Sequence, residues 1–305
     1  MTIKESRSSL VKKKKRRNSI RMLCSGGMVL AIATGIWFGS AVQAPESIQV
    51  ASVGNAVQTP ILEQEPEVQK PEEQKPEQQE VNTEPVVENT NPYNIDPNKP
   101  MIALTFDDGP SKHTWTIVDA LKNHNARATF FLLGNRVSSH QAAIDYILDN
   151  HNEIGSHSVA HKNLAKVSTE SELIAQIRPV DEIMQSQHEY AIKLFRVPYG
   201  SKNDQVQQVL KAEGKIMVGW SVDPCDWKVR DKQKVVDHIL NTVKDGDIIL
   251  MHDIYESTAE AVVELVPALQ AQGYQLVTVS ELLQFRGVTP QAGDQYYSVP
   301  MQKAA

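Results

Sequence analysis

The sequence predicts an α/β domain between about residues 99 and 286, in which a parallel sheet is covered by helices. Short apolar runs alternate with amphipathic segments six or seven times in this region, and such alternation is typical of parallel sheets. The region has roughly 190 residues, which is enough for a sizeable core. A closed barrel and an open doubly wound sheet both fit this rhythm.

The individual elements follow from the change of period along the chain, from short apolar runs to amphipathic runs with a helical repeat. The predicted strands are 102–106, 129–133, 153–155, 193–195, 217–222, 248–251 and 275–279. The predicted helices are 114–124, 138–150, 171–187, 203–213, 232–243 and 258–272. Residues 287–305 are predicted to form a C-terminal tail outside the domain.

The N-terminal region has the charge pattern of a membrane anchor. Residues 1–21 carry nine Lys or Arg against one acid, and residues 22–42 carry no charge. An uncharged, mostly apolar segment of 21 residues can cross a bilayer, and its basic flank predicts that the N-terminus stays in the cytoplasm. We therefore expect a single-pass membrane protein whose remaining chain is exported.

A possible cleavage site and a linker follow this anchor. Val42 and Ala44 are the small residues that a signal peptidase prefers, so secretion after cleavage near Ala44 is the alternative to a retained anchor. Residues 43–98 are rich in Pro, Glu and Gln and contain one aromatic residue, which predicts a disordered linker. Outside the N-terminal segment no basic and aromatic surface is indicated, so no nucleic-acid partner is expected.

Polar motifs follow five of the predicted strands, at the point where each strand ends. The carboxyl ends of parallel strands meet at one edge of the sheet, where barrels and open α/β sheets bind their ligands. The five motifs therefore predict one functional site. In chain order they are T-F-D-D-G-P at 105–110, G-S-H-S-V-A-H at 155–161, R-V-P-Y-G at 196–200, D-P-C-D-W at 223–227 and H-D at 252–253.

The pair His157 and His161 could be two metal ligands or two polar residues on one face of a helix. A carboxylate from another strand would complete the three protein ligands that are typical of catalytic zinc. Ser158 excludes the H-E-x-x-H motif of zinc proteases. Asp107 and Asp108 could cap a turn, or one could bind the metal while the other holds a proton.

The other motifs also have both a structural and a functional interpretation. Arg196 could be a surface charge, or it could keep a buried carboxylate ionised. The turn at Tyr199 could present a backbone N–H to an oxyanion. His252 could simply end a strand or serve as a general acid. Trp227 could belong to the core or form the wall of a small apolar pocket.

Taken together and in this order, the five motifs resemble those of the polysaccharide deacetylases, which form carbohydrate esterase family 4 and share the NodB-homology domain. The similarity covers residues 99–286. It implies a distorted (β/α) barrel that holds one divalent metal ion, zinc or alternatively cobalt or another ion. The metal ligands that it implies are Asp108, His157 and His161.

The resemblance also implies a role for each remaining motif residue. Asp107 would be the catalytic base, held by Arg196. His252 would be the general acid, tuned by Asp226. The backbone N–H of Tyr199 would help to stabilise the oxyanion, and the acetyl methyl group would enter a small apolar slot. The residues that contact substrate would be Tyr199, Trp227 and Leu250.

Three residues, Lys162, Val197 and Cys225, depart from those common in this family, but none replaces a ligand or a proton carrier. We expect an extracytoplasmic hydrolase that removes acetyl groups from N-acetylated sugars of a cell-wall polymer, with peptidoglycan N-acetylglucosamine as the first choice. The rival enzymes are deacetylases of chitin-like, poly-N-acetylglucosamine or O-acetylated polysaccharide. The rival from another class is a catalytically silent wall-binding protein on the same fold. Nothing in the sequence indicates the oligomeric state.

Overall fold

A computed structural model describes residues 93–302, which contain eight β-strands. The strands are β1 (Met101–Asp107), β2 (Thr129–Leu132), β3 (Glu153–Ser156), β4 (Leu194–Phe195), β5 (Ile216–Val218), β6 (Ile248–His252), β7 (Gln275–Leu276) and β8 (Gln295–Tyr296). They form one sheet in the order β6-β1-β2-β3-β4-β5-β8, with β7 beside β1. Every pair of neighbouring strands runs parallel.

The last helix, Val279–Phe285, packs in an apolar cluster with Ala103, whereas most other helices lie between the strands and pack on the outer face of the sheet. In the first of them, Ile117, Val118 and Leu121 are buried, and this spacing of three to four residues is that of one helix face. The helices in residues 93–302 are α1 (Thr114–Asn123), α2 (Gly134–Val137), α3 (Gln141–Asp149), α4 (Glu170–His188), α5 (Asp204–Ala212), α6 (Asp226–Val229), α7 (Lys232–Thr242), α8 (Glu256–Ala271) and α9 (Val279–Phe285).

Strand β1 shows how the sheet directs its side chains. Leu104 and Phe106 pack in the apolar layer between the sheet and the helices, whereas Ala103 belongs to a second cluster. Successive side chains of a strand point to opposite faces, so Thr105 and Asp107 share the face of Ala103. The strand period therefore directs Asp107 to the inner face, away from the layer of helices.

The sheet is so strongly curved that the segment after β5 reaches β6. Beyond β5, Ser221 N donates to Ile248 O (2.9 Å) and Leu250 N donates to Val222 O (2.9 Å). Val222 and Ile249 form a parallel bridge. The predicted parallel α/β architecture is therefore confirmed. It takes the form of a strongly curved half-barrel, in which the segment after β5 pairs with β6.

The folded region extends beyond both predicted boundaries. Within the predicted tail, β8 pairs with β5 and Val299 is buried in the second apolar cluster. Within the predicted linker 43–98, Ile95 is buried in the same cluster. A strand of two residues and an isolated apolar residue carry no periodic pattern, so neither could be recognised from the sequence.

Near the end of the predicted domain, the strand expected at 275–279 is correct only at its start. β7 ends at Leu276, and α9 begins at Val279 because Thr278 caps the helix. Thr278 Oγ1 accepts from Glu281 N (3.2 Å), and Glu281 Oε2 accepts from Thr278 N (2.9 Å). This reciprocal capping box overrides the β-propensity of the preceding apolar run.

The predicted cytoplasmic segment 1–21, the anchor 22–42 and most of the linker lie outside the described residues. Within residues 93–302, no helix is both long enough and apolar enough to cross a membrane. The membrane anchor and its topology therefore stay predictions.

Candidate active site

The predicted site residues all lie at the carboxyl edge of the sheet or in the segments that follow it. The register of β1 and β6 pairs Asp107 with His252. The register of β3 and β4 pairs Ser156 with Phe195, which brings the next residues, His157 and Arg196, side by side. Asp226 and Trp227 begin α6, which follows β5. The expectation that five separate motifs form one site is thus met by strand pairing.

Arg196 is fully buried and fixed by four hydrogen bonds. Its Nη1 donates to Asp107 Oδ1 (2.8 Å) and to Thr105 Oγ1 (2.7 Å). Its Nη2 donates to Gly219 O (2.9 Å), and its Nε donates to Val218 O (3.2 Å). Arg196 is therefore not a surface charge. Its guanidinium forms a charge-assisted hydrogen bond with Asp107 and fixes the direction of that carboxylate.

The two histidines of the second motif lie in a loop, so the helix-face interpretation is excluded. Ser158 (φ 70°) and His161 (φ 52°) adopt the left-handed backbone conformation, which a helix does not contain. His161 N donates to Ser158 Oγ (3.0 Å). The ring centroids of His157 and His161 lie 4.9 Å apart, so this tight loop brings the two imidazoles together.

Asp108 completes a group of three possible metal ligands. One ligand atom from each of Asp108, His157 and His161 lies within 4.8 Å of the other two. Asp108 Oδ1 is 3.5 Å from His161 Nε2 and 3.8 Å from His157 Nε2, which is too far for hydrogen bonds. This buried oxygen has no hydrogen-bond partner within the described part of the chain. Such an orphaned carboxylate oxygen beside two imidazole nitrogens fits a bound cation.

The orientation of the His157 ring also suits a metal. His157 Nδ1 donates to Arg196 O (2.7 Å), so Nε2 is the ring nitrogen that faces Asp108. Burial, aided by the neighbouring His157, lowers the pKa of His161 and so favours its neutral form. Two imidazoles and one carboxylate form a donor set that zinc accepts.

A second pair, His252 and Asp226, lies beside this group. Asp226 is fully buried and accepts hydrogen bonds from His252 N (2.8 Å), Thr258 Oγ1 (2.7 Å) and Trp227 N (2.8 Å). His252 Nδ1 donates to Asp226 Oδ1 (2.8 Å). Burial disfavours the imidazolium, but the hydrogen bond and charge of Asp226 outweigh burial and raise the pKa of His252 to about 9. His252 therefore holds a proton at neutral pH, as a general acid must.

The three predicted substrate contacts differ in exposure. Tyr199 adopts a left-handed backbone (φ 61°) and is 55% exposed, and its ring centroid lies 4.5 Å from that of His161. Trp227 is 37% exposed and therefore does not belong to the core. Leu250 is 5% exposed and lies two residues before His252, on the same face of β6.

Several supporting residues were missed by the sequence reasoning. Thr105 begins the first motif but was given no role, and it accepts a hydrogen bond from Arg196, 91 residues away. Thr258 donates to Asp226, 32 residues away, and no local pattern predicts this contact. Asp253 is fully buried, accepts a hydrogen bond from Thr114 Oγ1 (2.5 Å), and contacts Gly109 so closely that any side chain there would overlap its carboxylate. Burial raises the pKa of Asp253 to about 7. The sequence signal that could have identified Asp253 was its position beside His252 in the fifth motif.

Comparison with known proteins gives a consistent result. A family model described as polysaccharide deacetylase matches residues 94–218. The chain is 43% identical over 189 residues to the peptidoglycan-N-acetylmuramic acid deacetylase PdaC of Bacillus subtilis. It is 40% identical over 197 residues to the peptidoglycan-N-acetylglucosamine deacetylase PgdA of Listeria monocytogenes. It is 35% identical over 195 residues to a peptidoglycan-N-acetylglucosamine deacetylase of Bacillus cereus.

The extent of these matches differs among the relatives. They cover 62%, 64% and 62% of this chain, and 40%, 41% and 91% of the respective relatives. The match thus spans less than half the length of the first two relatives and nearly all of the third.

Two solved structures share the fold. The structure of peptidoglycan deacetylase PdaC from Bacillus subtilis is 41% identical, with a TM-score of 0.61 over 63% of this chain and 94% of that chain. A family 4 acetyl xylan esterase from Clostridium thermocellum, in complex with a cobalt ion, is 31% identical, with a TM-score of 0.61 over 66% of this chain and 99% of that chain.

Proposed function

This chain belongs to the polysaccharide deacetylase family, and from this premise we propose that it is a metal-dependent hydrolase that deacetylates N-acetylated sugars of a cell-wall polymer. One observation carries the proposal: the ligand group of Asp108, His157 and His161 lies beside a possible base, Asp107, and a protonated acid, His252. The three relatives, all described as peptidoglycan deacetylases, support the class of substrate.

The ligand group would hold one divalent cation, with zinc as the first choice and cobalt as an alternative. The orphaned Asp108 Oδ1 and the orientation of His157 Nε2 toward it support this assignment, as does the cobalt ion of the Clostridium thermocellum relative. When bound, such an ion supplies Lewis-acid polarisation of the acetyl carbonyl and of the attacking water.

The remaining site residues would move protons and position the substrate. Asp107 accepts the proton of the attacking water, and Arg196 keeps it oriented for this task. His252, held protonated by Asp226, donates a proton to the leaving sugar nitrogen. The backbone N–H of Tyr199 donates to the developing oxyanion. The acetyl methyl group would lie against Trp227 and Leu250.

Among substrates, N-acetylglucosamine of peptidoglycan is the first choice and its N-acetylmuramic acid partner the second. Relatives of both descriptions are 35–43% identical to this chain over the matched residues, so overall similarity does not separate the two. Chitin-like and poly-N-acetylglucosamine chains come third. Esterase activity on O-acetylated polysaccharide needs the same residues and is the alternative reaction.

The test is acetate release by the purified full chain from a panel of N-acetylated and O-acetylated glycans. We expect release from N-acetylated glycans and a loss of about a hundredfold or more in kcat for Asp107→Asn, because a general base contributes at least this factor. The exposed Asp149→Asn is the matched control and should keep the normal rate. Equal rates for both variants would refute the assigned base, and release from O-acetylated glycans alone would replace the proposal by an esterase.

A further inference from the structure

Two arginines at the carboxyl edge of the sheet lack the carboxylate partners that the other arginines of residues 93–302 have. Residues 93–302 contain six arginines. Neither Arg136 nor Arg230 forms an ion pair with any carboxylate of the described residues. Arg136 lies in α2, which follows β2, and Arg230 caps α6, which begins with Asp226 and Trp227. The arginines that pair with carboxylates are Arg127, Arg178, Arg196 and Arg286.

Arg230 is held in place even though it is exposed. Its backbone is left-handed (φ 47°), and its N–H donates to Asp226 O (3.1 Å). Its Nε donates to Trp227 O (2.7 Å), and its guanidinium carbon lies 3.3 Å from the ring centroid of Tyr255. A stacked guanidinium loses little further entropy on binding, and its two Nη groups form the fork that matches a carboxylate.

Tyr255 connects this arginine to the active site. Its ring centroid lies 5.8 Å from that of His252. Burial raises the pKa of the Tyr255 phenol, while the charges of Arg230 and Arg136 oppose this increase. Arg230 therefore stacks at the rim of the site, next to the residue that would protonate the leaving nitrogen. Arg136 belongs to α2, whose Gly134 N donates to Ser158 O (3.0 Å) in the loop of the two histidines.

The three carboxylates Asp107, Asp108 and Asp226 have other partners and do not neutralise Arg136 or Arg230. Asp107 is paired with Arg196, and Asp226 is paired with His252. Asp108 faces the two histidines of the ligand group. The charges of Arg136 and Arg230 are therefore available to a ligand.

We propose that Arg230 and Arg136 form a subsite that binds a carboxylate carried by the glycan, on the acetylated sugar or on its neighbour. This inference rests on the proposed function. A muramic acid unit offers such a carboxylate on its lactyl group, and a stem peptide offers others, whereas a chitin-type chain offers none. The subsite would thus select peptidoglycan over neutral glycans with the same acetamido group.

The test compares three tetrasaccharides on the purified full chain. The first contains N-acetylglucosamine alone, the second alternates it with N-acetylmuramic acid bearing a free lactyl group, and the third carries stem peptides. We expect kcat/KM to be higher for the anionic glycans, and more salt to reduce this preference. A preference for the second identifies the lactyl group, and a preference confined to the third identifies the peptide.

Three substitutions test the residues themselves. For Arg230→Gln and for Arg136→Gln, the ratio of kcat/KM on the preferred anionic glycan to that on the neutral glycan should fall about tenfold, the factor expected for one charge-assisted hydrogen bond. Arg136→Gln matters because it leaves α6 intact. Arg178→Gln, in the outer helix α4, is the control and should keep the wild-type ratio. An unchanged ratio in both rim variants would overturn the subsite.

A binding measurement tests the carboxylate subsite independently of the proposed deacetylase function. Titration of the metal-free chain with each tetrasaccharide, followed by tryptophan fluorescence, requires no turnover. Tighter binding of an anionic glycan, lost in Arg136→Gln, supports the subsite even if no glycan releases acetate. Equal binding of all three glycans refutes it even if deacetylation is observed.

Discussion

Five residues of the five motifs adopt the left-handed backbone conformation although none of them is glycine. They are Asp108 (φ 72°), Ser158 (φ 70°), His161 (φ 52°), Tyr199 (φ 61°) and Cys225 (φ 54°). This conformation costs an L-residue about 1–2 kcal/mol, and such strain concentrates where side chains must be aimed at a ligand. Here it directs a carboxylate and an imidazole toward one another and turns the backbone of Tyr199 at the edge of the site.

Metal binding gives the first prediction at the scale of single residues. We expect about one divalent ion per chain, with activity lost on chelation and restored by zinc or cobalt. His161→Ala should weaken metal affinity by at least about a hundredfold, because it removes a direct ligand. Competition with a chromophoric chelator measures this affinity, and the exposed His238→Ala serves as the control. Stoichiometric metal in a protein lacking both His157 and His161 would contradict the ligand assignment.

The pair of His252 and Asp226 gives a prediction about pH. The general acid must be protonated, so kcat/KM should fall as the pH rises through the pKa of His252. Asp226 raises that pKa, so Asp226→Asn should lower it toward its ordinary value of 6.5 and move the alkaline fall to lower pH. A pH profile of the folded variant, with far-UV circular dichroism as the check of folding, measures the shift. An alkaline limb at the wild-type position would show that Asp226 does not tune the acid.

At the scale of elements, the site depends on short segments that hold longer ones together. α6 has four residues, yet it presents Asp226 to His252 and ends at Arg230. β8 has two residues, yet it pairs with β5, and Gly219 N, just beyond β5, donates to Tyr296 O (2.7 Å). Arg196 binds the carbonyl of the same glycine, so β8 supports the segment that fixes the possible base.

The contribution of the C-terminal segment to the stability of the fold can be tested by substitution. Val299 is 6% exposed and packs in the apolar cluster that also contains Ile248. Val299→Ala should reduce the free energy of unfolding by about 2 kcal/mol and lower Tm by about 4–8 °C. Met301→Ala, at a residue that is 40% exposed, should leave Tm nearly unchanged. Calorimetry with equal Tm values for both variants would show that this segment does not stabilise the fold.

At the scale of the whole molecule, the predicted anchor and linker would place the domain near a membrane. If the 53 residues from Pro45 to Pro97 behave as the linker that the sequence predicts, they would span on the order of 40 Å. This reach would keep the domain beside a cell-wall polymer. The chain would then meet a concentrated substrate at the membrane.

This topology predicts the result of surface proteolysis. Protease added to intact cells should release the domain by cutting between Pro45 and Pro97, because an extended, proline-rich segment is accessible. A cytoplasmic marker protein that survives the treatment is the control for intact cells. Protection of the chain until lysis would contradict the exported orientation, and a mature N-terminus just after Ala44 would show cleavage instead of anchoring.

The sequence by itself determined the class of fold, the family and the grouping of the motifs. Alternation of short apolar runs with amphipathic ones is a local pattern, and it was enough to predict a parallel sheet with helices around it. From the placement of T-F-D-D-G-P, H-S-V-A-H and H-D at strand ends, a single site follows, because parallel strands share one carboxyl edge. The family was recognised from five motifs in order and is confirmed by relatives that are 35–43% identical.

Only the tertiary structure decided the contacts that have no local pattern. The loop conformation of His157 and His161, the burial of Arg196 and the pairing of β8 depend on residues distant in sequence. The same is true of Arg230, which resembles any surface arginine until its stacking on Tyr255 is seen. Periodicity reports which side of an element is apolar, but strand register, burial and unpaired charge arise when distant segments meet.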